Sequence, residues 1–170
     1  VPAGAGSPEL AELDDYRREC LLRGLGQLEA GVDLILIDVP PGLSRTGMGI
    51  ARAADDVIVL TTPEMPAFAD AYALIKVLHE RGLERAPHLV VSMADTSEES
   101  DETAHRIKLV AKRFLQLDLA SLGSVPFDPA IARAARLQEP AVLAFPNSPA
   151  AAAYEAIARR LWDGRTIDPE

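Results

Sequence analysis

The stretch GVDLILIDVPPGLSRTG, residues 31–47, contains the pattern on which the fold depends. Its continuous apolar run predicts a strand over residues 33–38 with both faces buried. The strand ends in a carboxylate, Asp38, and is broken by Pro41 and Gly42. An acid at this position can hold Mg²⁺ through water while the glycine amide meets a phosphate. The alternative is that Asp38 is only the polar end of a core strand.

Composition limits the kind of protein that this sequence can form. The chain has 170 residues, 48% hydrophobic and 25% charged, which is typical of one globular domain. Its net charge of -9 argues against general affinity for nucleic acid or anionic membrane. Cys20 is the single cysteine, which excludes an internal disulfide and fits a reducing cytoplasm. The first residue is Val1 rather than Met, which leads us to expect an upstream segment.

Strand patterns alternate with helix patterns along the chain. This order predicts an α/β fold with a mostly parallel sheet and helices on both faces. Cys20 lies on the apolar face of the first predicted helix and is expected in the core. The predicted strands are residues 33–38, 57–61, 89–93 and 122–125, and the predicted helices are residues 8–29, 67–80, 98–115, 128–137 and 149–162.

The carboxyl ends of parallel strands meet at one edge of a sheet, where ligands bind. That edge is therefore the candidate site. Two of its acids have simpler interpretations: Asp128 precedes Pro129 and would cap a helix in any case, and Glu64 is expected in the first turn of a helix. The side chains expected at the edge are Asp38, Thr61, Thr62, Glu64, Ser92, Asp95, Pro126, Phe127 and Asp128.

Four segments in succession resemble one family. They are DLILIDVPPGL (33–43), AADDVIVLTTPE (53–64), DAYALIKVL (70–78) and SVPFDPAIARAARLQEPAVLAFPNSPAAAAYEAIARRL (124–161). In this order they resemble the MinD/ParA family of deviant Walker A ATPases, nearest to the flagellar-number regulators FlhG and FleN. The resemblance implies a three-layer P-loop NTPase fold that lacks its first strand and phosphate loop. Residues 1–163 would be the carboxyl-terminal two-thirds of a single ATPase domain, and residues 164–170 a short acidic tail.

The resemblance also implies roles for individual residues. Asp38 matches the Walker B acid, which helps to hold Mg²⁺ through water and to orient the attacking water, and it is the catalytic candidate. Nucleotide-binding roles are implied for the switch II turn, for the position that reads adenine and for the loop that packs against the base. These residues are, respectively, Pro41 and Gly42; Ser92; and Pro126, Phe127 and Asp128.

Two departures from the family pattern bear on the nucleotide site. Ser92 stands where the family usually has asparagine, so the reach toward adenine is shorter and adenine selectivity is in question. A phosphate loop needs glycines followed by lysine and Ser or Thr, and this sequence contains no such loop. The segment GLSRTGMG (42–49) follows the Asp38 strand, so we expect a switch loop there, or an inert surface loop.

The resemblance implies an ATP-dependent switch. ATP or ADP with Mg²⁺ would be the ligands, a homodimer would close on ATP, and the partners would be proteins of a positioning or flagellar system. We expect a cytoplasmic location, no specific nucleic acid, and membrane association that is peripheral at most, because the last helix reads as one that docks on the sheet. This chain alone is predicted to be inactive as an ATPase.

Two alternatives remain at the level of sequence. One is a non-catalytic relative that acts as a protein-interaction module. The other is an iron–sulfur carrier of the Mrp type, against which the lone Cys20 speaks. We also expect the missing first strand to leave a gap or an apolar sheet edge that another strand, a second subunit or a rearrangement must cover.

Overall fold

The computed structural model describes residues 14–28, 31–39 and 44–163. The predicted elements between residues 57 and 162 are confirmed to within two residues at each end. The described elements are α1 (Asp15–Leu28), α2 (Arg45–Ala53), β1 (Ile58–Thr61), α3 (Met65–Glu80), β2 (His88–Ala94), α4 (Ser97–Leu115), β3 (Ser121–Pro126), α5 (Pro129–Leu137), α6 (Ala141–Ala144) and α7 (Pro149–Asp163).

In the described ranges the strands form a parallel sheet in the order β1-β2-β3. Helices α3 and α4 cover one face, where Ile75 and Ile107 pack with Leu89. Helix α7 covers the other face, where its Ala150 packs with Val90 of the sheet. Because both faces are buried, the strands are apolar on both sides. The three-layer α/β fold predicted from the sequence is confirmed.

Helix α7 docks on β3, as predicted. Ile157 and Leu161 pack against the cluster beneath this helix. The guanidinium Nη1 of Arg160 donates a hydrogen bond to the backbone oxygen of Leu122 over 2.6 Å. Among the described helices, none combines the length and the apolar content that crossing a bilayer requires.

The strand predicted at residues 33–38 is wrong for this structure. Residues 34–39 have no regular secondary structure. The side chains of Leu34 and Leu36 are 64% and 81% exposed. A strand needs a hydrogen-bonding neighbour, and in the described sheet β1 pairs only with β2. The apolar pattern therefore indicates the capacity to form a buried strand, and the pairing decides whether one forms.

The first helix also differs from its prediction. The described helix α1 begins at Asp15, and residues 8–13 of the predicted span lie outside the described residues. Cys20 is exposed, so its expected core position is wrong. The side chain of Tyr16 is 76% exposed. Helix α1 lies against α2 rather than on the sheet, and its apolar face has no buried core to join.

The segment predicted as a switch loop contains a helix instead. The hydroxyl of Ser44 accepts a hydrogen bond from the Gly47 N–H over 3.0 Å and caps the start of α2. Met48 and Ile50 are buried. Gly47 approaches Val39 so closely that an added Cβ would lie 2.9 Å from its Cγ1. The serine cap and apolar spacing are the local signal that could have revealed this helix.

Candidate functional site at the carboxyl edge of the sheet

The parallel pairing of β2 and β3 places their carboxyl ends side by side. Ser92 pairs with Val125, and Ala94 pairs with Pro126. The pairing continues one step further, because the N–H of Phe127 donates to the backbone oxygen of Ala94 over 2.9 Å. Two of the regions implicated by the sequence, the end of β2 and the end of β3, are therefore brought together by backbone hydrogen bonds.

Ser92 lies at this edge with a half-buried side chain. Its hydroxyl has no hydrogen-bond partner among the described residues, so it is available to a ligand. The following residue, Met93, is 54% exposed and has a φ of 61°. Between the pairs Ser92–Val125 and Ala94–Pro126, the chain advances by one residue on β3 but by two residues on β2. Met93 is therefore the extra residue of a β-bulge.

Sequence reasoning did not single out Met93. A left-handed backbone at such a bulge is usually signalled by glycine, and a methionine gives no local indication of it. The strand predicted at residues 89–93 also ends on this residue, with no sign of a bulge. Only the strand register reveals the bulge.

The loop after β3 contains the three residues that were predicted to pack against a base. Pro126 is half-buried and ends the strand. The side chain of Phe127 is 56% exposed. An exposed aromatic ring beside a sheet edge can stack on a planar ligand.

Both carboxylate oxygens of Asp128 are occupied by the backbone. Oδ1 accepts from the Ala130 N–H over 2.8 Å, and Oδ2 accepts from the Ala150 N–H over 3.0 Å. These two bonds, that from Ala150 first, lower the pKa of Asp128 below its ordinary 3.8. The hydroxyl of Ser148 and the charge of Arg133 contribute in the same direction. The predicted helix cap is confirmed, and Asp128 also joins the starts of α5 and α7.

Local hydrogen bonds hold the chain just beyond β1 and β2, although only the residue after β2 caps its helix through a side chain. Glu64 is the N-cap residue of α3, and a hydrogen bond from the Thr62 side chain, followed by its own backbone N–H, lowers its pKa. After β2, the hydroxyl of Thr96 accepts from the Glu99 N–H over 3.1 Å. A carboxylate oxygen of Glu99 accepts in return from the Asp95 N–H over 2.8 Å. These reciprocal bonds fix the path of the chain beside Met93.

Asp38 does not end a strand in this structure. Asp38 is exposed in the irregular segment 34–39, which does not pair with the sheet. Pro41 and Gly42 lie outside the described residues. Within the described ranges there is also no group of three His, Cys, Asp or Glu side chains arranged to hold a metal ion.

The chain is similar to known proteins along most of its length. The family model ParA, described as a NUBPL iron-transfer P-loop NTPase, matches residues 26–162. The antiactivator FleN of Pseudomonas aeruginosa is 28% identical over 162 residues, which cover 95% of this chain and 58% of FleN. The septum site-determining protein MinD of Bacillus subtilis is 32% identical over 136 residues, 79% of this chain and 49% of MinD.

A solved structure is similar in fold as well as in sequence. The septum site-determining protein MinD of Pyrococcus horikoshii, complexed with Mg-ADP, superposes with a TM-score of 0.67 at 26% identity. The match covers 85% of this chain and 56% of that one. This chain therefore spans about half the length of these relatives. The match over residues 26–162, with the parallel three-layer fold, shows that the chain belongs to the ParA family of P-loop NTPases, the MinD/ParA ATPases, on the side of FleN and FlhG.

Proposed function

We propose that this chain is the carboxyl-terminal part of an ATP-dependent, dimerising switch ATPase of the MinD/ParA type. The observation that carries the proposal is the paired edge at β2 and β3. Ser92, near the end of β2, has an unpartnered hydroxyl, and Phe127, just after β3, has an exposed ring, in a chain that belongs to a nucleotide-binding family. Such a surface suits the base end of a nucleotide. Its expected setting is the cytoplasm, with proteins of a positioning or flagellar system as partners.

The residues present fit the two ends of a nucleotide unequally. At the base end, Ser92 offers a hydrogen-bonding hydroxyl and Phe127 an aromatic face. Asp38 offers a carboxylate, the type of group through which Mg²⁺ is held while it keeps several waters. Bound Mg²⁺ would neutralise phosphate charge. This sequence contains no glycine-rich loop followed by lysine to hold the phosphates, so the proposal requires that residues outside this sequence supply that loop.

The proposed division of labour gives each residue of this chain a role. Asp38 would hold Mg²⁺ through water and orient the attacking water, and the backbone of Pro41 and Gly42 would contact the terminal phosphate. Asp128 acts on the base indirectly, because its two oxygens hold the loop that carries Pro126 and Phe127. Hydrolysis would then release a dimer that ATP had closed.

The test is ATP hydrolysis by the full-length protein that the gene encodes. We expect Mg²⁺-dependent hydrolysis that falls at least about 100-fold in Asp38→Ala, because an electrostatic contribution of this kind is worth about 3 kcal/mol. The isolated 170-residue chain should be inactive. Light scattering should find a dimer with ATP and a monomer with ADP.

Two results would contradict the proposal. One is hydrolysis by the 170-residue chain itself that Asp38→Ala abolishes, since this would place the phosphate site inside the chain. The other is a full-length protein whose melting temperature and mass do not respond to ATP and Mg²⁺. This second result would favour the alternative of a non-catalytic interaction module. The matched charge-neutral variant Asp38→Asn separates loss of the carboxylate from loss of side-chain volume.

The matching family model is described as an iron-transfer NTPase, which makes iron–sulfur cluster carriage a second candidate function. Carriage of a cluster requires thiolate ligands in pairs. This sequence supplies only Cys20, on the exposed surface of α1. The nucleotide-dependent switch is therefore the function that these residues support better.

A further inference from the structure

A cleft lies at the amino edge of the sheet, opposite the candidate nucleotide site. Its volume is about 250 Å³. One wall consists of residues 52–55 and Val57, where α2 ends and the chain enters β1. The other wall consists of residues 83–85, in the segment between α3 and β2. Because β1 and β2 are parallel and both start at this edge, the cleft is separate from the strand ends that carry the proposed nucleotide site.

Charged side chains of both signs line the cleft. Two are guanidiniums, those of Arg52 in the last turn of α2 and of Arg85. Two are carboxylates, those of Asp55 and Glu84. Among the described residues, none of these four side chains has a hydrogen bond or an ion pair, although opposite charges line the same cleft. Opposite charges that share a cleft without meeting leave a position that a small ligand carrying both charges can bridge.

The cleft also presents apolar surface. Val57 and Leu83 are half-buried, and both pack against the core cluster beneath α3 and α4. Ala53 and Ala54 add smaller apolar groups. Ligand sites typically combine apolar surface with a few polar groups, and pockets for drug-sized ligands measure about 300–1,000 Å³. A cleft slightly below that range suits a small molecule that has an apolar body and charged ends.

Hydrogen bonds fix the backbone of both walls. Oδ1 of Asp56 lies 3.1 Å from Nε2 of the buried His88, the first residue of β2. The backbone N–H of His88 donates to the oxygen of Val57 over 2.8 Å. On the other wall, the N–H of Leu83 donates to the oxygen of Leu78 over 3.0 Å, just after α3 ends. The backbone of the cleft is therefore preorganised, which lowers the entropic cost of binding a ligand.

We propose that this cleft binds a free α-amino acid with an aliphatic side chain. A guanidinium fork binds a carboxylate through two parallel hydrogen bonds, so Arg52 and Arg85 receive the α-carboxylate. The two acids of the cleft receive the α-ammonium, and the aliphatic side chain packs on the apolar surface. A ligand with one charge leaves one of these pairs of side chains without a partner. The proposal does not depend on the switch function, to which it adds a ligand at the opposite edge of the sheet.

The first experiment is calorimetric titration of the full-length protein, without nucleotide, with L-leucine, L-isoleucine and L-valine. Two fragments of leucine serve as matched probes: 4-methylpentanoate lacks the ammonium, and 3-methylbutylamine lacks the carboxylate. We expect at least one of the amino acids to bind about 10-fold or more tightly than either fragment, because hydrogen bonds to charged groups are the stronger kind. If none of the three amino acids exceeds both fragments in this way, the proposal is overturned.

Variants then assign the two charges. Arg52→Gln and Glu84→Gln should each weaken binding of the amino acid by about 10-fold or more. The control is Arg136→Gln, which also removes a cation from the last turn of a nine-residue helix and should leave binding unchanged. Wild-type affinity in Arg52→Gln, or an equal loss in Arg136→Gln, would overturn the cleft. ATP hydrolysis by these variants should match the wild type, so a wild type that does not hydrolyse ATP refutes the switch function alone.

Discussion

Asp128 illustrates how one side chain can serve both stability and the candidate site. Its oxygens accept from Ala130 at the start of α5 and from Ala150, 22 residues further along the chain. A carboxylate accepts both bonds, whereas a protonated carboxyl must give up one acceptor position. The loop that carries Phe127 is therefore held by a group whose charge matters.

Asp128 predicts an acid-sensitive contribution to stability. The pKa in the folded state lies below the ordinary 3.8, so the contribution is complete above that value and is lost as the pH falls through the folded pKa. In Asp128→Asn one backbone N–H faces an amide NH₂, and the variant should melt at a lower temperature at pH 7. The difference from the wild type should shrink as melting is measured from pH 5 down to pH 3.

Glu64 and Glu98 also have lowered pKa values, so the acid sensitivity of the wild type alone does not isolate Asp128. The comparison with Asp128→Asn does, because those two glutamates are present in both proteins. A difference in melting temperature that is the same at pH 3 and pH 7 would show that the charge of Asp128 contributes nothing.

At the scale of elements, the contact between β3 and α7 depends on a glycine. Gly123 has a φ of 131°, and an added Cβ would lie 3.1 Å from Nη1 of Arg160. That guanidinium is the group that bonds the Leu122 oxygen. The close approach allows the helix to bury its apolar face on the strand.

Gly123→Ala should therefore destabilise the protein by about 1–3 kcal/mol, through backbone strain and displacement of Arg160. Denaturation in urea, followed by circular dichroism, measures the loss. The matched control is Gly24→Ala in α1, where an added Cβ meets nothing within 4 Å and the helix should gain up to about 1 kcal/mol. Equal stability of Gly123→Ala and the wild type would contradict this account of the contact.

At the scale of the whole molecule, several large apolar side chains of the described residues remain exposed. Leu34 and Leu36 are exposed in their irregular segment, and Leu60 of the edge strand β1 is 65% exposed. The outer edge of β1 has no partner in the described sheet, and an unpaired strand edge with an exposed leucine is a site for association with another strand. The unpaired edge of β1 is the kind of surface that we expected another segment or subunit to cover.

The substitution Leu36→Lys tests whether residues 33–38 are an exposed irregular segment or a buried interior strand. In the 170-residue chain, where this side chain is 81% exposed, we expect the free energy of unfolding to change by no more than about 0.5 kcal/mol. In the full-length protein, where residues 33–38 would pair as an interior strand, the free energy of unfolding should fall by about 2–5 kcal/mol. Thermal melting of both proteins measures the contrast. Leu143→Lys, at a 73% exposed position, should be tolerated in both. Tolerance of Leu36→Lys in the full-length protein would refute the interior strand.

Local patterns predicted the parts of this fold that depend on near neighbours in sequence. Apolar runs indicated β1, β2 and β3, and the Asp128–Pro129 pair located the start of α5. Alternation of helix and strand indicated the parallel, three-layer arrangement, because only buried strands tolerate apolar residues on both faces. The edge that carries Ser92 and Phe127 followed from that arrangement.

Tertiary structure alone decided the features that depend on distant partners. Strand register turned Met93 into a bulge residue, and the absence of a pairing neighbour in the described sheet left Leu36 exposed. Cys20 is exposed because its helix found no core, although its spacing is amphipathic. The second bond of Asp128 reaches an N–H 22 residues away. Periodicity and capping are properties of a few consecutive residues, whereas hydrogen-bond pairing and burial are properties of whichever segments meet in space.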